Sequence, residues 1–225
     1  ADTLGDRNTA LGTSALTAQN FTTTTDSYNT AVGFTAGASV TTGLRNVLVG
    51  GLAGDALTDA DDNVAIGTTA LSADTLGSRS VAIGKEALAA QNFTTATNAY
   101  NTAVGAFSGN AVSTGTLNTL VGGLAGQQLT TGVQNTLVGA SVGDALTDAD
   151  YNVAIGKEAL TTDTKGNKSV AVGMGALGTQ NFTTSTDSYN TAVGHNAGAA
   201  VTTGVENTLI GTYAGDALDV GNTNT

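Results

Sequence analysis

The chain has 225 residues, a net charge of −11, 11 % charged and 4 % aromatic residues, and no Cys, Pro or Trp. No Cys means no disulfide framework or thiolate metal site. The seven scattered Lys and Arg form no basic stripe for nucleic acid, and no run of about 18 apolar residues is present to insert into a membrane.

In chain order, residues 1–7 (Ala-Asp-Thr-Leu-Gly-Asp-Arg) match residues 73–79, the close of a repeat. At Asn8 a phrase begins: Asn/Ser, Thr/Val, Ala/Leu, an aliphatic residue, Gly. It restarts at 29, 46, 63, 80, 101, 118, 135, 152, 169, 190 and 207, at intervals of 17 or 21 residues. A fixed short period is the mark of a solenoid, in which each repeat is one coil stacked on the last. The prediction is an all-β fold, a parallel β-roll or β-solenoid of about 12 coils, as one continuous array over residues 1–225. At about 4.8 Å per coil the rod would be roughly 55–60 Å long.

Within each phrase, β-branched residues favour a short strand and the Gly permits a turn. Alternation puts the Thr/Val and Val/Ile columns on one face and the Asn and Ala/Leu columns on the other. Both faces are apolar, so one fills the coil and the other needs a covering layer. The economical cover is another copy of the chain, hence a homo-oligomer. The Asn column is expected to form an amide ladder. A second apolar position, as at Val40, Leu57 and Leu129, and a closing Thr-Thr-Gly turn predict a second short strand in each coil.

Three coils carry an insert, from Gln19 to Tyr28, Gln91 to Tyr100 and Gln180 to Tyr189. Phe21, Tyr28, Phe93, Tyr100, Phe182 and Tyr189 either pack back on the rod or across subunits, or present a protruding loop to a glycan or another surface. In the turn Asp55–Asn63 and its echo Asp144–Asn152, the residues Asp59, Asp61, Asn63, Asp148, Asp150 and Asn152 are candidate Ca²⁺ ligands, since Ca²⁺ takes hard oxygens. The Gly and terminal Glu of an EF-hand are missing, and a solvated Asp-rich turn is the favoured reading. No other cofactor is expected.

Catalysis finds no support. His195 has no partner base and reads as a solvent-facing side chain. Lys85-Glu86 and Lys157-Glu158, adjacent in sequence, are expected to point apart as surface decoration. A Thr column (Thr41, Thr58, Thr75, Thr130, Thr147, Thr164 and Thr202) raises ice binding as an alternative, weakened by the lack of a matching partner column. The final Asn224-Thr225 stands where a thirteenth phrase would begin, so the array is expected to be a segment of a longer chain, with head-to-tail stacking into a structural filament as the alternative.

The phrases Asn63-Val-Ala-Ile-Gly67, Ser80-Val-Ala-Ile-Gly84 and Asn152-Val-Ala-Ile-Gly156 resemble the head repeats of trimeric autotransporter adhesins and of related trimeric and phage tail-fibre-like proteins. That resemblance implies a left-handed parallel β-roll, a homotrimer, exposure at a cell surface or on a virion fibre, and binding to a surface glycan or matrix protein. The coils here are longer than the family's usual ones, and no ligand residue carries over. The expected function is a non-enzymatic adhesive or spacer shaft.

Overall fold

The computed structural model describes residues 4–225; Ala1, Asp2 and Thr3, which begin the matched repeat close, lie outside the described residues. The chain forms two compact units, Ala1–Thr114 and Gly115–Thr225. In the first unit the phrases become the strands Thr9–Leu11, Thr30–Val32, Val47–Val49, Val64–Ile66, Val81–Ile83 and Thr102–Val104. In the second they become Thr119–Val121, Thr136–Val138, Val153–Ile155, Val170–Val172, Thr191–Val193 and Thr208–Ile210. Neighbouring strands within a unit run parallel and pair column on column, as in Thr30 with Val47, Ala31 with Leu48 and Val32 with Val49. The fold is therefore an all-β parallel solenoid of about 12 coils, six in each unit.

The phrase Gly is required by two constraints at once. Gly50 has φ +134, and a Cβ there would lie 2.6 Å from the carbonyl oxygen of Gly67 on the next coil. Gly139 repeats this against Gly156 at 2.6 Å. No other residue tolerates both the backbone conformation and the close approach.

The predicted second strand is absent from most of the 17-residue coils. Val40, Leu57, Leu129 and Leu146 are buried as expected, but their backbone is irregular. Thr41 N–H and Gly43 N–H converge on the Thr58 carbonyl (2.9 and 3.2 Å), and Thr58 N–H donates to the Thr75 carbonyl (2.9 Å). Only the inserts add a second ladder: Gly77–Ser78 pairs with Thr97–Asn98, and Gly166–Asn167 with Thr186–Asp187.

Core volume is shared between two columns. Where the strand carries Leu (Leu48, Leu120, Leu137, Leu209), the residue six positions later is Gly (Gly54, Gly126, Gly143, Gly215). Where the strand carries Ala at Ala65, Ala82, Ala154 and Ala171, that later residue is Leu (Leu71, Leu88, Leu160, Leu177); at Ala31, Ala103 and Ala192 it is Gly (Gly37, Gly109, Gly198), and at Gly37 and Gly198 Leu side chains of the neighbouring coils reach into the space. These later Leu residues are buried with φ between +49 and +54. A left-handed backbone costs a β-carbon residue about 1–2 kcal/mol, and burying a Leu side chain returns about 1.5–3 kcal/mol, so the strained Leu is tolerated. A Cβ on Gly54 would meet Leu48 Cδ2 at 2.7 Å and Leu57 Cδ1 at 2.9 Å. Either column can fill the site, but not both.

Candidate interaction surfaces

The strands decide which face is inside. The Asn and Ala/Leu columns are buried, while the Thr/Val and Val/Ile columns lie outward and only partly covered. Ile66 keeps 37 % of its surface exposed and Ile155 40 %. The outward face is thus a stripe of β-branched side chains with no charged residue in any phrase.

The buried Asn residues make the expected ladder and more. Asn135 Nδ2 donates to Asn118 Oδ1 (3.1 Å) and to the Ala149 carbonyl (2.7 Å), while its Oδ1 accepts from Asn152 N–H (3.0 Å). Each amide therefore ties its own strand, the closing turn of its coil and the next coil. Ser80 and Ser169 interrupt the column, and there a buried Gln takes over. Gln91 Nε2 donates to Ser80 Oγ (3.0 Å) and Asp74 Oδ2 (2.6 Å), and its Oε1 accepts from Asn101 Nδ2 (2.8 Å). Gln180, Ser169, Asp163 and Asn190 repeat the set.

Asp74 and Asp163 escaped the sequence reading. Asp74 Oδ1 also accepts from Gly77 N–H (3.0 Å) and Phe93 N–H (3.0 Å). Burial pushes its carboxyl above the ordinary Asp range, against the opposing pull of the Gln91 amide and these backbone donors. The signal was in the sequence: this position is Val or Leu in ordinary coils, Gln in the long coils, and Asp in the coil before a long one.

The structure separates the aromatics of the inserts. Phe21, Phe93 and Phe182 are only 7, 6 and 7 % exposed, whereas Tyr28, Tyr100 and Tyr189 are 47, 49 and 51 % exposed. Each Tyr lies beside a basic residue of the preceding coil. Arg79 donates to the Tyr100 hydroxyl (2.7 Å), with its guanidinium 5.6 Å from the ring centroid. Arg7 does the same at Tyr28. Lys168 Nζ is 5.1 Å from the Tyr189 ring and bonds Asp187 at 2.6 Å; that carboxylate and the Tyr189 hydroxyl push Lys168 up to about 12. These residues belong to one corner column, at positive φ, just before each phrase. In the first unit Arg45 and Asp62 of the same column join through two hydrogen bonds (2.5 and 3.1 Å), and the Arg45 guanidinium draws the Asp62 carboxyl below its ordinary range.

The six oxygen-bearing candidates lie in two turns, one in each unit. Asn63 and Asn152 turn inward into the amide ladder. Asp61 Oδ1 accepts from Leu44 N–H (2.7 Å) and Asp150 Oδ1 from Val133 N–H (2.8 Å), each capping the turn of the coil before. Asp59 and Asp148 accept from Thr42 and Thr131 hydroxyls (2.6 and 2.5 Å). Among the described residues no group of three or more His, Cys, Asp and Glu is placed to hold a metal ion. His195 is half-buried, its ring edge-on to Tyr213 at 5.2 Å. The column Thr hydroxyls are engaged along the coil stack: Thr58, Thr130 and Thr147 donate to carbonyls of the next coil (3.1, 3.0 and 3.0 Å). Among the described residues no helix is long and apolar enough to cross a membrane. Comparison with known protein families, characterised proteins and solved structures found no match to this chain.

Proposed function

We propose that the chain is a non-enzymatic shaft segment of a surface-exposed fibre, assembled from three parallel copies in contact along their strand faces. The observation that carries this reading is the outward stripe of Val, Ile and Thr. Contiguous apolar surface of this kind marks an interface. Its columns repeat once per coil, so the partner that covers them along their length must share that rise, which another copy of the same solenoid does. The number three follows the resemblance of the Asn-Val-Ala-Ile-Gly phrases to the heads of trimeric autotransporter adhesins. The phrase keeps its 17-residue step from Asn101 to Asn118, which supports one array running through both units.

The half-exposed Tyr28, Tyr100 and Tyr189, each flanked by Arg or Lys and, at Tyr28 and Tyr189, by Asp26 and Asp187, supply the adhesive surface in this reading, for a glycan or matrix protein. The buried Phe residues anchor the loops that carry them. Sedimentation equilibrium tests the assembly. A species three times the 22.0 kDa chain is the expected result; a stable monomer overturns the proposal, and open-ended growth favours a head-to-tail filament in its place.

A further inference from the structure

We propose that Asn20, Asn92 and Asn181 are acceptor sites for asparagine-linked glycosylation. Each opens an Asn-Phe-Thr tripeptide in a long insert, and Asn-x-Ser/Thr is the acceptor pattern for this modification. The pattern alone is weak, and three copies of one insert add little to it.

In every copy the middle residue is the buried Phe, while Thr22, Thr94 and Thr183 are exposed. Asn20 and Asn92 are exposed and Asn181 half-exposed. Amide and hydroxyl are thus both at the surface on either side of a buried Phe, where a transferase that reads both can reach them. The amide nitrogens are available. Asn92 Oδ1 accepts from the Thr75 hydroxyl (3.1 Å) and Asn181 Oδ1 from the Thr164 hydroxyl (3.3 Å), which orients each side chain, while neither Nδ2 donates to a group among the described residues. Ordinary coils place Thr or Ser at this position, for example Thr41, Ser113 and Thr130.

A fourth match, Asn167-Lys168-Ser169, is an internal control. Asn167 is buried, its Nδ2 held by Ser185 Oγ (3.0 Å) and its Oδ1 by Asp150 N–H (2.9 Å). Ser169 is buried against Ser188 (2.5 Å). Folded chain offers no acceptor there.

The sugar donor is a polyprenyl-pyrophosphate or nucleoside-diphosphate glycoside. The Asn Nδ2 bonds to the anomeric carbon, the anomeric C–O bond to phosphate breaks with its electron pair leaving on the phosphate, and an amide proton passes to a base of the transferase. The acceptor residues lie outside the strand columns, so the modification and the strand-face assembly are independent.

The test is peptide mapping by mass spectrometry of the protein from its native source, before and after peptide-N-glycosidase, alongside Thr22→Ala, Thr94→Ala and Thr183→Ala made in the same cells. Glycan is expected at Asn20, Asn92 and Asn181, each becoming Asp on release, with Asn167 bare. Each Thr→Ala variant loses only its own glycan and keeps its fold, because the hydroxyl removed is exposed. Three unmodified Asn residues overturn the proposal, as does glycan that survives loss of the Thr.

Discussion

Asp74 occupies a position that ordinary coils give to Val or Leu, and its partners are the Gln91 amide and the backbone N–H groups of Gly77, Phe93 and Thr75. Because burial raises its folded-state pKa, the native chain binds that proton more tightly than the unfolded chain. The stability it contributes is fully present below the unfolded Asp value and is lost as pH rises through the folded one. Asp62, drawn down by Arg45, works in the opposite sense: its contribution is present above the unfolded value and lost as pH falls through the folded one. Comparing Asp74→Asn with the unsubstituted chain isolates the first term. Urea unfolding at pH 4 and pH 7 is expected to show the variant gaining relative stability at the higher pH; a pH-independent difference would contradict a destabilising buried carboxylate. The same column, with Asp before Gln, is legible in the sequence only when the coils are aligned on their phrases.

Within a coil, one column compensates another. Asn135→Ser looks harmless, since Ser80 and Ser169 stand in the same column. Those coils, however, carry Gln91 and Gln180 to complete the hydrogen bonds, and the coil of Asn135 has Leu146 there. The substitution leaves the Ala149 carbonyl and the Asn152 N–H without the partners they have at 2.7 and 3.0 Å. At about 1–3 kcal/mol for each buried unsatisfied group, a loss of roughly 2–5 kcal/mol is expected by denaturant titration. A loss below about 1 kcal/mol would mean that water replaces the amide.

The Leu and Gly columns give a second test. Leu48→Ala is expected to cost about 2–5 kcal/mol by opening a cavity, and Gly54→Leu to destabilise by overpacking against Leu48 and Leu57. Together they recreate the pairing of Ala65 with Leu71. The double variant should be more stable than the sum of the single losses by about 1 kcal/mol or more, and strict additivity would rule out the shared site. This exchange of Leu and Gly was present in the sequence but had no visible meaning there, because six positions of separation say nothing about contact until the turn between them is known.

For the whole molecule, the outward strand columns carry the prediction. Val49→Lys and Val138→Lys lie on partly exposed positions, where a single chain loses only about 0.5 kcal/mol or less. Between packed copies each Lys is buried against its own equivalents, and burying unpaired charge is costly. The expected result is a fall from three chains to one in sedimentation equilibrium, with the circular dichroism spectrum unchanged. A trimer that persists would place the interface on another face. Whether the assembly forms governs the reading of the Tyr corners as an adhesive surface, since three copies multiply each weak contact.

The period, the strand phrase, the obligate Gly and the Asn ladder were all determined by the sequence, because a stacked coil repeats its constraints at a fixed spacing and so writes them into columns. The tertiary structure alone decided which strand face is interior, that a second strand forms only where a coil pairs with an insert, and that the insert Phe residues are buried while the Tyr residues stay half in solvent. It also showed that the acidic turns cap the preceding coil, Asp61 at Leu44 N–H and Asp150 at Val133 N–H. The reason is the same in each case: alternation tells which residues share a face, but only the path of the turns says which face closes on itself and which carboxylate finds a neighbouring N–H.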